Sequence, residues 1–372
     1  MRGGEDEAVD LDCELLARAG VVVKQLLADN AELRPGISTA LSAIWSRQSY
    51  QRVAAAIGSF RPDLVHVHNT WPTWSPSVYD AAADAGVPVV QTLHNYRLMC
   101  LNGLFLRDGA PCRDCLNRTV KWPGVVHGCF QGSRVRSAAA AAVAAVHWSR
   151  GTWLTKIDRF IALGTFAAGQ FAAAGVPHER LTICPPLIRD PLLAAATERR
   201  GGLYVGRLSE EKGVRTLVEC WKGVPYPLTI IGDGPLESEL RASAPANVRL
   251  LGRQPRDVVS SAMASSMLLL FPSECFESFG LVPLEAMAHG LAVLASAGGA
   301  LDDVLEDGLT GVFAPPRDVL AWRSAAERLL ADPGRCAALG EAGRALYARS
   351  FSVEQVVAHR LAIYRDVLAR HG

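Results

Sequence analysis

Short apolar runs, each next to a glycine, a proline or a polar turn, recur along the 372-residue chain and constrain its fold more than any other feature. They occupy residues 64–67, 89–93, 160–163, 203–205, 228–231, 267–271 and 292–295. Nearly continuous apolar runs of this kind are typical of parallel strands that are buried on both faces. The stretches between them, such as residues 214–222 and 236–243, carry apolar residues at helical spacing. This alternation predicts an α/β fold with doubly wound parallel sheets.

The length of the chain suits two domains better than one. Hydrophobic residues make up 49% of the chain and charged residues 20%, so each domain can bury its own core. Pro185 and Pro186 interrupt regular structure, and a polar stretch precedes the next strand. We therefore predict two Rossmann-like domains, at residues 1–186 and 187–352, and a last helix at residues 353–372 that packs back on the first domain.

The net charge of +1 provides no general attraction to nucleic acid or to anionic membranes. The most apolar run, residues 138–146, is shorter than the ~20 residues that span a bilayer. The N-terminus carries no apolar leader. We expect a cytoplasmic protein without a nucleic-acid partner. Peripheral membrane contact stays open because Trp148 and Trp153 flank the apolar run.

Two loops of the second half combine glycines with cations or with a strand end. Gly206 permits a tight turn after a strand, and Arg207 and Lys212 follow before the next helix. Because α/β folds bind ligands at this edge of the sheet, two cations there suit a diphosphate. Gly232 and Gly234 would let the backbone of a second loop approach the same ligand. Solvated surface charges and a plain turn are the open alternatives.

A third loop carries two carboxylates at a suggestive spacing. Ser278, Phe279 and Gly280 offer backbone amides at the start of a helix, a position that binds anions. Glu285 lies about two turns further along, where a carboxylate can accept hydrogen bonds from a ribose. Glu277 could reach the hydroxyl groups of a sugar beyond the phosphates. The alternative is ordinary acidic capping of a helix.

Together these three loops resemble those of the retaining glycosyltransferases of family 4 (glycosyl transferases group 1), which have the GT-B fold. The resemblance is specific for residues 207–311 and looser before them. It implies that the second domain binds a UDP- or GDP-sugar and that Arg207 and Lys212 stabilise the leaving diphosphate. It also implies a hexosyltransferase that retains anomeric configuration and needs no metal, since two cations and helix amides can neutralise the leaving group. A glycan, a lipid-linked molecule or a small molecule would be the acceptor, in polysaccharide, glycolipid or glycoconjugate biosynthesis.

The resemblance extends to the first domain. His94 matches a histidine that contacts the donor sugar near the reaction centre, and Asn95 lies beside it on the acceptor side. Gly3 and Gly4 resemble a glycine loop that meets the acceptor or the phosphates, but the strand that should precede this loop is missing, because Met1 stands where the loop begins. This departure keeps a second interpretation open, a catalytically impaired homologue that binds sugar nucleotides. An oxidoreductase would need a G-x-G-x-x-G turn, and none is found.

A cysteine-rich loop at residues 99–132 follows His94. It contains Cys100, Cys112, Cys115 and Cys129, of which Cys112 and Cys115 form a C-x2-C pair. Four thiolates at these spacings could hold a structural zinc ion. The alternative is a set of free, buried thiols in a reducing compartment.

Overall fold

The computed structural model describes residues 4–28, 42–70, 73–191 and 198–371. Its contacts divide the chain into two compact units. The first unit comprises Met1–Phe105, Cys112–Pro185 and Val356–Gly372, and the second comprises Leu106–Pro111 and Pro186–Gln355. The domain boundaries at residues 186 and 352 stay predictions. The cysteine-rich loop is divided between the units, because its hairpin residue Gly109 lies against Arg317 of the second unit.

The described elements follow the predicted alternation of strand and helix. The strands are β1 (Val65–Val67), β2 (Val89–Leu93), β3 (Leu106–Arg107), β4 (Ala110–Pro111), β5 (Arg159–Ala162), β6 (Leu181–Ile183), β7 (Gly202–Val205), β8 (Leu228–Ile231), β9 (Val248–Leu250), β10 (Leu268–Phe271), β11 (Ala292–Ser296) and β12 (Val312–Ala314). The helices are α1 (Gly4–Arg18), α2 (Arg47–Phe60), α3 (Ser77–Asp84), α4 (Trp122–Val126), α5 (Arg134–Ser149), α6 (Thr152–Thr155), α7 (Thr165–Ala173), α8 (Val214–Trp221), α9 (Glu237–Ser243), α10 (Arg256–Ser265), α11 (Leu281–Ala288), α12 (Val319–Leu330), α13 (Pro333–Ser350) and α14 (Val353–His371).

The sheet of the first unit has the strand order β1-β2-β5-β6, and all of its described pairs are parallel. Strands β2 and β5 are buried along their whole length, as their continuous apolar runs predict. Within the described residues, helix α1 is the first element, and Gly4 begins this helix instead of lying in a loop. Gly3, the other predicted acceptor-side glycine, lies outside the described residues.

The sheet of the second unit has the order β12-β11-β10-β7-β8-β9, again with parallel pairing throughout. The chain runs outward from β7 through β8 to β9 and then returns to place β10 on the other side of β7. The strand order therefore reverses between β7 and β10. In open α/β sheets, ligands bind outside the carboxyl ends of the strands at such a reversal.

The predicted α/β class with parallel sheets is confirmed. The predicted strands are present with ends that shift by at most one residue, and all of them except the edge strand β1 lie inside a sheet and are mostly buried. Strands β6, β9 and β12 were not predicted. They lie at the edges of the sheets and are only partly buried, so they carry no continuous apolar run.

The core of the second unit is built around two tryptophans. Trp221 of α8 and Trp322 of α12 are fully buried, and each indole N–H donates to a carbonyl oxygen, of Tyr226 and Pro315 respectively. A side chain on Gly202 of β7 would collide with Trp221, so the glycine lets α8 pack closely on the sheet. None of the helices in the described ranges is both long and apolar enough to cross a bilayer.

Candidate functional site

The loops after β7 and β8 are joined at their backbones. The amide of Gly206 donates to the carbonyl of Ile231 at 3.0 Å, and the amide of Leu208 donates to Asp233 at 2.8 Å. A Cβ on Gly232, whose φ is +146°, would lie 1.8 Å from the Gly206 carbonyl oxygen. A Cβ on Gly234 would lie 2.4 Å from the Leu208 carbonyl oxygen. Glycine at both positions is therefore required for this contact between the loops.

The loop after β10 joins the same group. The amide of Glu274 donates to the carbonyl of Glu211 at 2.9 Å. A Cβ on Gly213, where φ is +66°, would lie 1.9 Å from the carbonyl oxygen of Pro272. The three loops that the sequence singled out thus form one surface at the carboxyl ends of β7, β8 and β10, where the strand order reverses.

Lys212 and Glu277 form the centre of this surface. The Lys212 Nζ lies 2.7 Å from the Glu277 Oε1, with side chains that are 27% and 15% exposed. The Ser273 hydroxyl donates to the same carboxylate oxygen at 2.5 Å. Burial by itself would lower the pKa of Lys212, but the charge of Glu277 and its hydrogen bond raise it above the ordinary value. Burial, then Glu277, raises the pKa of the Cys275 thiol to about 12. The pair is thus a fixed cation beside an oriented acceptor of hydrogen bonds.

The other residues predicted to bind the donor lie in the same loops or on α11, and they differ in exposure. Arg207 is exposed, and Glu285 is half-buried on α11. Gly280 precedes the first residue of α11 with φ at +106°, and a Cβ there would lie 2.7 Å from Leu301. The ring of Phe279 is buried against Phe351, so only its backbone can face a ligand. Ser278 is half-buried in the same turn. The roles of these residues stay predictions.

In the first unit, His94 and Asn95 line a pocket with about 730 Å³ of empty space, part of it open to solvent. His94 follows β2 directly, and its Nε2 lies 2.9 Å from the Nδ1 of His68, which follows β1. The two imidazole rings are stacked with centroids 5.2 Å apart. The structure therefore brings the predicted His94 together with a second histidine, His68.

A buried polar network continues from the histidines. His66 contacts the hydroxyl groups of Tyr364 at 2.6 Å and Thr92 at 2.8 Å, and its ring lies 4.2 Å from that of His68. His66 and His68 are two residues apart, which places their side chains on the same side of an extended chain. The Asp12 Oδ2 accepts from the Arg360 Nη1 at 2.6 Å and lies 3.9 Å from the His68 Nε2.

Sequence reasoning missed Asp12 and Arg360, although a signal for both exists. Asp12 lies beside the buried Leu11 on α1. Arg360 lies four residues after Val356 and three before Ile363, both buried on the same stripe of α14. A charged residue inside an apolar helical stripe predicts a buried partner.

The two site histidines are held neutral. Burial lowers the pKa of His68 to about 3, and the Arg360 charge acts in the same direction. Burial and then His68 lower the pKa of His94 to about 3, against an opposing effect of Asp12. Both rings therefore exchange hydrogen bonds as neutral donors and acceptors at neutral pH.

We expect this neutrality to make the protein sensitive to acid. The unfolded chain protonates these histidines near pH 6.5 and so binds more protons than the folded chain below that pH. Their contribution to the free energy of unfolding is complete above pH 6.5 and is lost as the pH falls toward 3. Urea unfolding at several pH values in this range should show that the free energy of unfolding falls as the pH falls. His94→Gln should reduce the slope of this dependence. The exposed His178 is the control, and an unchanged slope in His94→Gln together with His178→Gln would contradict the assignment.

The four cysteines of the cysteine-rich loop are free thiols, as are the other cysteines that the structure describes. Cys100 and Cys115 are buried, whereas Cys112 and Cys129 are partly exposed. In the described ranges, which contain all four, no group of three or more His, Cys, Asp or Glu side chains is arranged to hold a metal ion. The zinc prediction therefore receives no support from the geometry.

Solved structures identify the fold. Sucrose-phosphate synthase from Thermosynechococcus elongatus matches with a TM-score of 0.72 and 20% identity, covering 99% of this chain and 94% of that chain. Anabaena Alr3699/HepE in complex with UDP-glucose matches with a TM-score of 0.70 and 18% identity, covering 97% and 96%. The fold is GT-B, with two Rossmann-like domains, as predicted.

Family models identify the chain more closely. Residues 3–186 match the "Glycosyl transferase 4-like domain", and residues 193–346 match "Glycosyl transferases group 1". The chain belongs to the group 1 glycosyl transferases and is of the family 4 type.

Curated relatives align over part of the chain. Alpha-D-kanosaminyltransferase of Streptomyces kanamyceticus is 28% identical over 218 residues, 52% of this chain and 56% of that protein. D-rhamnosyltransferase WbpZ of Pseudomonas aeruginosa is 32% identical over 156 residues, 40% of this chain and 41% of that protein. The chain spans about half the length of the curated relatives that it matches.

Proposed function

We propose that this protein transfers a hexosyl unit from a nucleotide-diphosphate sugar to an acceptor hydroxyl, with retention of anomeric configuration and without a metal in catalysis. The Lys212–Glu277 pair at the reversal of strand order is the observation that carries this proposal. A half-buried cation and an oriented carboxylate at this edge of an α/β sheet suit a ligand that carries both phosphate and hydroxyl groups.

The second unit would bind the donor. Lys212 is the cation paired with Glu277, and the exposed Arg207 would bind phosphate oxygens through its planar guanidinium group. The backbone of residues 278–280 at the start of α11 would add amide donors, and Glu285 would accept the ribose hydroxyls. Complexes of Anabaena Alr3699/HepE with UDP and with UDP-glucose support a UDP-sugar, and a GDP-sugar is the other donor that we propose to test.

The chemistry follows from charge. The bond between the anomeric carbon and the diphosphate oxygen breaks, and the diphosphate keeps the electron pair. The acceptor oxygen bonds to the anomeric carbon, and its proton passes to the departing diphosphate. Lys212 and Arg207 offset the growing negative charge, which is the largest electrostatic demand of the reaction. Glu277 is already held by Lys212 and Ser273, so it suits sugar hydroxyls better than the role of a free nucleophile.

The acceptor would bind to the first unit, in the pocket beside His94 and Asn95. The names of the relatives include a rhamnosyltransferase and a kanosaminyltransferase, which differ in the sugar transferred, and D-inositol 3-phosphate glycosyltransferases, whose name gives an acceptor. We propose a role in polysaccharide, glycolipid or glycoconjugate biosynthesis.

Donor binding is the direct test. At 100 times its dissociation constant, a ligand of the folded state adds about 2.7 kcal/mol to stability, which raises the Tm by about 2–4 °C. We expect this shift with a UDP- or GDP-sugar in a thermal-shift panel. Glu285→Ala should weaken nucleotide binding about 10-fold or more, because it removes hydrogen bonds to a charged acceptor.

The exposed Glu341 of α13 is the matched control, and Glu341→Ala should bind nucleotides as the wild type does. If no nucleotide or nucleotide sugar shifts the Tm, the proposed function fails. If a sugar nucleotide binds but is never cleaved, the protein is the catalytically impaired homologue.

A further inference from the structure

The pocket of the first unit is lined by side chains of two kinds. The polar ones belong to β2 or to the residues that follow β1 and β2, among them His68, His94 and Asn95. The apolar ones include Leu98, Phe130 and residues on one face of α5. Sugar hydroxyls left unpaired against apolar side chains cost binding free energy.

The space in the pocket depends on small side chains of α5. Ala140, Val143 and Ala144 line it, in a helix where residues 138–142 are all alanine. Alanine keeps the helix stable without filling the volume beside it. Larger apolar residues would serve equally well in a helix that packed against protein, and they would close the pocket.

One donor in the apolar part has no protein partner. The indole N–H of Trp153 is buried and unpaired among the described residues, and Trp153 lines the pocket. Buried indole N–H groups normally find a hydrogen-bond acceptor. An oxygen of a bound ligand would supply one within otherwise apolar surroundings.

We infer that this pocket binds an acceptor with an apolar body, whose reactive hydroxyl lies beside His94 and Asn95 and whose apolar part packs against α5. This inference rests on the proposed function and specifies its acceptor. An aromatic alcohol and an isoprenoid alcohol share this chemistry.

Calorimetric titration of the full chain, with UDP present, tests the inference with three probes: 2-naphthol, geraniol and methyl α-glucoside. Ala140→Phe would fill the pocket, whereas Ala142→Phe makes the same change at an exposed position of α5. We expect one or both apolar alcohols to bind at least ~10-fold more tightly than methyl α-glucoside, as burial of apolar surface predicts. Ala140→Phe should weaken that binding at least ~10-fold, and Ala142→Phe should not.

Preference between 2-naphthol and geraniol distinguishes an aromatic from an isoprenoid acceptor. The inference is overturned if methyl α-glucoside binds as tightly as both alcohols, if neither alcohol binds, or if Ala140→Phe binds them like the wild type. UDP titrated into the same preparations reports the donor site separately. Absence of UDP binding would therefore count against the proposed function and not against the pocket.

Discussion

Lys212→Ala is expected to slow the release of nucleoside diphosphate from a sugar nucleotide by about 10²–10³-fold, the range seen when one preorganised charge-stabilising donor is removed from an active site. Lys212 is the half-buried cation at the carboxyl edge of β7, held 2.7 Å from Glu277. Its loss removes the charge that would meet the departing diphosphate and also leaves Glu277 without its cation. The measurement is the rate of UDP or GDP release with the donor found in the thermal-shift panel.

The matched control for Lys212→Ala is Arg215→Ala, three residues away. Arg215 pairs with Glu210 and Glu239, but these side chains are about half exposed. Exposed ion pairs contribute little, so this variant should release diphosphate at a rate near that of the wild type. If Lys212→Ala is folded, as judged by its Tm, and releases diphosphate at the wild-type rate, Lys212 has no role in the mechanism.

Arg360→Ala is expected to lower the free energy of unfolding by about 3–5 kcal/mol, as is typical when one partner of a buried ion pair is removed. Arg360 is 1% exposed and donates to Asp12, which is 8% exposed. It also contacts the thiol of Cys184 at 3.5 Å. Burial opposes its charge, but Asp12 raises its pKa, so it stays a cation. Urea unfolding at pH 7 measures the loss.

Arg370→Ala is the control on the same helix. Arg370 forms a surface pair with Asp366, four residues earlier, and its removal should change stability by less than ~0.5 kcal/mol. The double variant Asp12→Leu with Arg360→Met should recover part of the lost stability, because no unpaired charge remains in the interior. Equal effects of Arg360→Ala and Arg370→Ala would show that the buried pair is not a main support of the first unit.

The loop surface of the second unit was predictable because its residues follow strands directly. Continuous apolar runs identify β7, β8 and β10, and the glycines and charges after them mark their carboxyl ends. The pocket of the first unit was less predictable. His94 was found by resemblance, whereas apolar side chains of its pocket come from α5, which from sequence alone reads as an ordinary buried helix.

Local patterns were therefore enough to predict the parallel strands, the loops at their ends and the family. Burial on two faces and tight turns depend on residues that are close together in the sequence. Long-range packing decided the rest. The position of β10 beside β7 joins Lys212 to Glu277, and the fold of α14 onto the first unit joins Arg360 to Asp12. Residues so distant in the chain come into contact only when sheets and helices pack. The sequence around either residue therefore does not predict which partner it contacts.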